Sequence, residues 1–111
     1  MAAAFHGYEI PTVGVTPQTA VAAPGTSNWA EVIALNVWNR DTTPRTIIAK
    51  KVGGTVTPLE LGRVAVGAGL NGLIPFGATV IEGTAESITV ESDATAATTE
   101  PVVDVAVFTG P

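Results

Sequence analysis

The chain has 111 residues, enough for one domain that buries roughly 60 to 70% of the surface its unfolded form exposes. It contains no cysteine, which excludes disulfides and thiolate metal sites. Ten acidic residues against five basic ones give a formal charge of -5 and a pI near 4.5, the wrong sign for neutralising nucleic-acid phosphates. Only 14% of the residues are charged while 46% are hydrophobic, against roughly 25% charged in an average soluble domain. Such a charge-poor surface suits a chain that is packed against other chains.

Residues 1–28 read as an extended N-terminal arm. Pro11, Pro17 and Pro24, interspersed with glycine, oppose a helix and favour an extended or looped path. The Ala-rich start lacks the pattern of a secretory signal, because nothing before Arg40 is basic and Glu9, Pro11 and Pro17 interrupt any apolar run. Fully extended, such an arm spans up to about 90 Å at about 3.3 Å per residue, far enough to reach a neighbouring subunit. Its larger apolar residues, Phe5, Tyr8, Ile10, Val13 and Val15, are the candidate partner-binding residues. His6 has no metal ligand or triad partner near it in sequence, so an exposed place in the arm is expected.

Residues 29–111 read as a β domain. Trp29 to Trp38 alternates, with Ile33, Leu35 and Val37 expected on one side and Val32, Ala34, Asn36 and Trp38 on the other. The turn formers of NRDTTP, Asn39 to Pro44, lead into a second strand from Arg45 to Val52, and the pair is expected to form a hairpin with a long loop. One or two strands follow between Thr55 and Val66. ESITVE places Ile88 and Val90 inward, and VVDVAVF places Val103, Val105 and Val107 on one face. Short strands at this spacing, without a helical period, predict an all-β sandwich or jelly-roll-like barrel.

Between Arg63 and Ile81, Gly67, Gly69 and Gly72 spell G-x-G-x-x-G after an apolar run, the phosphate-cradling fingerprint of dinucleotide enzymes. That site needs a helix directly after the glycines to hold the pyrophosphate, and Pro75 and Gly77 follow instead. The uncharged run from Val64 to Ile81 also falls short of a membrane span, because glycines, an asparagine and a proline break it. The glycines are expected at turn or bulge positions.

No catalytic constellation is visible. Glu82, Glu86, Glu91, Asp93 and Glu100 lack the spacing of a glycosidase pair or a calcium loop, and with Lys50 and Lys51 they read as solvated residues that blunt strand edges. Trp29 and Trp38 are expected in the core or at an interface, with sugar stacking as the alternative. No enzyme activity, cofactor or metal is expected.

The order NVWNRDTTPRTIIAK, VAVGAGLNGL, then IEGTAESITVESDATAATTEPVVDVAVF resembles the small β-sandwich virion proteins encoded among the head and neck genes of tailed bacteriophages, over about residues 30 to 110. The resemblance implies a structural role without catalytic residues: a capsid decoration (cement) protein that binds and stabilises the head, or a neck or tail component. Expected partners are the major capsid protein or other virion proteins and copies of the chain itself, not nucleic acid or membrane. The implied location is the capsid surface after assembly in the host cytoplasm. A carbohydrate- or receptor-binding module, using Tyr8, Trp29 or Trp38 as a stacking platform, is the rival from another class.

Overall fold

A computed structural model describes residues 4–53 and 56–111. Within them the alternating segments form eight strands: β1 (Ala4–Ile10), β2 (Gln18–Val21), β3 (Gly25–Trp38), β4 (Arg45–Gly53), β5 (Val56–Val66), β6 (Asn71–Gly83), β7 (Ser87–Ser92) and β8 (Val102–Gly110). They pair antiparallel in two four-stranded sheets, ordered β1-β8-β3-β6 and β2-β7-β4-β5. Only the β4–β5 connection stays within one sheet, and every other link crosses the sandwich. That winding is a double-sheet jelly roll.

The inward positions are those that alternation assigns, with Val103, Val105 and Val107 of β8 meeting Ile88 and Val90 of β7 and Ile47 and Ala49 of β4 in one core cluster. Strand β3 departs from strict alternation. A β-bulge lies between Val32 and Ala34, where the register against both β6 and β8 slips. Val32 and Leu35 are fully buried while Ile33 is 37% exposed. The extra residue thus shifts Ile33 off the face it was expected to share with Leu35 and Val37.

The expected hairpin around NRDTTP is also corrected. The turn is present, but β3 and β4 lie in different sheets, and β4 pairs with β7 and β5. Residues 39–44 carry the chain across the roughly 10 Å between packed sheets, and polar side chains anchored in that gap hold them there. Lys50 and Lys51 accordingly sit on an interior strand, not at an edge.

The arm is extended as expected, but in this structure it belongs to the sandwich. β1 runs along β8 from Ala4↔Thr109 to Ile10↔Val103, β2 pairs with β7, and β3 begins at Gly25, so the boundary drawn at residue 28 falls inside a strand. The link between them is tied down by Val13 N–H to Pro101 O at 2.9 Å and by Ser92 N–H to Gly14 O at 2.8 Å. Without β1 and β2, β8 and β7 would each present a row of unpaired backbone groups beside the core.

Leu35→Ala is therefore expected to cost about 2 to 5 kcal/mol by leaving a cavity, whereas Ile33→Ala should cost under about 1 kcal/mol. Denaturant unfolding checks both, and equal costs would place the bulge elsewhere. Deleting residues 2–24 should abolish the cooperative transition.

Candidate interaction surface

Three consecutive residues at the end of β3 fasten one end of the sandwich. Asn39, fully buried, donates from Nδ2 to Val66 O at 2.9 Å and Thr43 O at 3.0 Å, and its backbone pairs with Leu70 and Gly69. Asp41, 2% exposed, accepts from the backbone N–H groups of Ala97 and Thr98 at 2.9 Å and from Arg45 Nε at 2.9 Å. Burial alone would raise the Asp41 pKa, but the N–H donors of Ala97, Thr98, Thr42 and Thr99 outweigh it and hold the carboxyl far below the usual carboxylate range. Arg40 donates to Pro11 O at 2.9 Å and Glu100 O at 3.1 Å.

That anchored Arg40 lies 5.7 Å from the ring centroid of Trp38, within cation–π range. Trp38 remains 48% exposed and borders a shallow concavity of about 500 Å³ formed with Asn36, Leu70, Asn71 and Asp104. The concavity opens onto the outer face of the β1-β8-β3-β6 sheet. The register lays that face out in cross-strand rows: Glu9, Asp104, Asn36 and Leu73; then Gly7, Ala106, Ala34 and Pro75; then Phe108, Glu31 and Val80. Small residues make the middle row a low waist. Exposed apolar side chains flank it, with Leu73 at 55%, Phe108 at 39% and Ile33 at 37% exposure. At the far end Trp29 lies over Gly110, where an added Cβ would come within 2.6 Å of the indole.

The predicted anchors are not brought together on this face. Ile10 and Val13 are buried in the protein's own core, because β1 and its connection close the sandwich. Tyr8, on the edge strand, is exposed. Exposed Val15 lines a second depression, of about 430 Å³, between the β1–β2 and β7–β8 connections. Phe5 pairs through its backbone with Phe108, while its side chain, like that of His6, lies outside the described residues. The acids and lysines read as solvated are partly structural: Lys50 Nζ is 2.8 Å from Glu91 and Lys51 Nζ is 3.2 Å from Glu86. The Glu82 amide, followed by Lys51, lowers the pKa of Glu86. Asp93 accepts from Thr46 N–H.

Gly67 to Leu70 form a turn closed by Leu70 N–H to Gly67 O at 3.1 Å, with Gly69 at φ +74, the left-handed position that a type II turn requires. A Cβ on Gly72 would lie 2.7 Å from Val66, so that glycine permits close packing of β5 on β6. Strand β6 follows where a dinucleotide site would need a helix. Among the described residues no group of three His, Cys, Asp or Glu is placed to hold a metal. Sequence reasoning missed Asn39 and Asp41; their one local signal was the Asx-rich turn composition of NRDTTP.

Neither a protein-family model nor a curated protein sequence matches the chain. Among solved structures it is similar to a Bacillus endospore appendage protein of a family of disulfide-linked pili, with a TM-score of 0.52 and 15% identity over 97% of this chain and 85% of that one. A chain of the T13 particle of infectious bursal disease virus aligns at a TM-score of 0.49 and 12% identity, over 96% of this chain and 31% of that one, so this chain spans about a third of its length. The likeness to the appendage protein shows a shared β-sandwich fold.

Because Asp41 titrates lower in the folded than in the unfolded chain, its stabilisation is present above the unfolded carboxylate value of about 4 and is lost as pH falls below it. The thermal midpoint should therefore drop on acidification below about pH 4. Asp41→Asn should have a lower midpoint at neutral pH and a flatter acid limb. Superimposable pH profiles would remove the carboxylate from this role.

Proposed function

We propose that this protein is a virion structural protein of a tailed phage, a capsid decoration protein that binds and stabilises the head. The observation that carries the reading is the outer face of the β1-β8-β3-β6 sheet, which leaves Trp38, Leu73, Phe108 and Ile33 exposed together on a charge-poor protein. A flat face with aromatic anchors and a small-residue waist has the make-up of a protein contact. Likeness in fold to a protein that forms pili and the sequence resemblance to phage head and neck proteins support an assembly role. A neck or tail position uses the same face. The pili of that relative are disulfide-linked, whereas this chain has no cysteine, so its contacts rest on packing, hydrogen bonds and charge. Among the arm residues whose side chains are described, Tyr8 and Val15 are exposed to a neighbour.

The second reading, a carbohydrate-binding module, is favoured by one observation: the exposed Trp38 indole beside Asn36, Asn71 and Asp104 in the concavity offers a stacking surface next to hydroxyl-binding groups. A saccharide seated there would shift the tryptophan emission.

Adding the purified protein to heads that lack it should fill a stoichiometric set of sites and raise their resistance to heat. Trp38→Ala and Leu73→Ala should lower occupancy without unfolding the protein. Absence of the protein from purified wild-type particles would overturn the virion role.

A further inference from the structure

The charges of this molecule are unevenly used. Each lysine and arginine is engaged within the chain: Arg40 on the Pro11 and Glu100 carbonyls, Arg45 on Asp41, Lys50 on Glu91, Lys51 on Glu86 and Arg63 on Glu60. Among the described residues, six carboxylates have no cationic partner: Asp93 and Glu100 on the β7–β8 connection, and Glu9, Glu31, Glu82 and Asp104. The last four project from the outer face of the β1-β8-β3-β6 sheet, as their register with exposed Val80, Phe108 and Leu73 and their alternation with buried neighbours require. Glu9 and Asp104 are direct cross-strand neighbours, an arrangement of like charges that destabilises a free sheet.

Resting on the reading of the chain as an assembly subunit, we propose that this face docks a different protein, one that presents lysine or arginine side chains among apolar ones, and not a second copy of this chain. An isologous contact would set the carboxylates of Glu9, Glu31, Glu82 and Asp104 against their own copies, with only Arg40, already tied to the Pro11 and Glu100 carbonyls over Trp38, at the rim of the face among the described residues. A head-to-tail contact would offer the opposite sheet's Lys50 and Arg63, but Glu91 and Glu60 already neutralise these. A partner that brings its own cations gains the apolar contacts and relieves the repulsion between Glu9 and Asp104. The face is large enough for such a contact. Four strands about 4.8 Å apart and about nine residues long give roughly 19 by 30 Å, about 570 Å², near the lower end of one side of a standard interface, about 600 to 1,000 Å².

The test uses the full-length protein and two synthetic peptides, one alternating lysine with valine and one alternating glutamate with valine. The lysine peptide should bind, perturb the indole resonance of Trp38 and the amides of Ala34 and Ala106, and weaken with added salt. The glutamate peptide should not bind. The double variant Glu9→Gln and Asp104→Asn should weaken the lysine peptide about tenfold and, unlike a merely structural pair, raise the thermal midpoint of the free protein. Equal binding of both peptides, or unchanged binding by the double variant, would overturn the proposal. So would sedimentation that shows an oligomer dissolved by Leu73→Glu, an outcome that leaves the assembly role itself standing.

Discussion

A jelly roll wound from eight strands has to satisfy the backbone of its connections, because most of them pass from one sheet to the other and join neither ladder. In this protein the satisfying groups sit on Asn39, Arg40 and Asp41. The β7–β8 connection turns its N–H groups inward, and Asp41, which can only accept, takes those of Ala97 and Thr98. The β5–β6 connection turns carbonyls inward, and the Asn39 amide donates to Val66 O and Gly67 O. Arg40 takes carbonyls from two connections, Pro11 O between β1 and β2 and Glu100 O between β7 and β8. Each side chain matches the polarity of the loop it meets, and because the three are consecutive, one turn sets the relative positions of several loops.

The same corner shapes the exposed face. Arg40, held by two carbonyls, lies over the Trp38 ring, and the indole borders the concavity. A bulge further along β3 delivers Ile33 outward. Both features add apolar surface where a free monomer would gain from polar residues, and the facing Glu9 and Asp104 add repulsion. Local rules are broken on this face, as expected where a structure serves a partner and not only its own stability.

Much of the fold was legible in the residues. Ile88 and Val90 on one side of β7, and Val103, Val105 and Val107 on one side of β8, follow from alternation, which neighbouring residues encode by themselves. The candidate surface was far less legible. Trp38 could be named as core or interface, but which of these it is depends on the sheet that β3 joins, and the Arg40 beside it is held by Pro11 and Glu100 carbonyls remote in sequence. Ile10 and Val13 carried the composition of partner-binding residues, yet composition does not say whether an extended segment lies along its own domain or along another.

By itself the sequence determined the all-β class, the turn positions at NRDTTP and at Gly67 to Leu70, the acidic balance and the absence of thiol chemistry, since each follows from residue type or from contacts a few positions apart. Tertiary structure alone decided that β3 and β4 part into different sheets, that a bulge reverses Ile33, that β1 and β2 complete the sandwich, and that Glu9, Glu31, Glu82 and Asp104 share one face. The reason is physical. A strand exposes the same backbone donors and acceptors whatever its neighbour, so the choice of neighbour rests on burial and polar pairing between residues far apart in the chain.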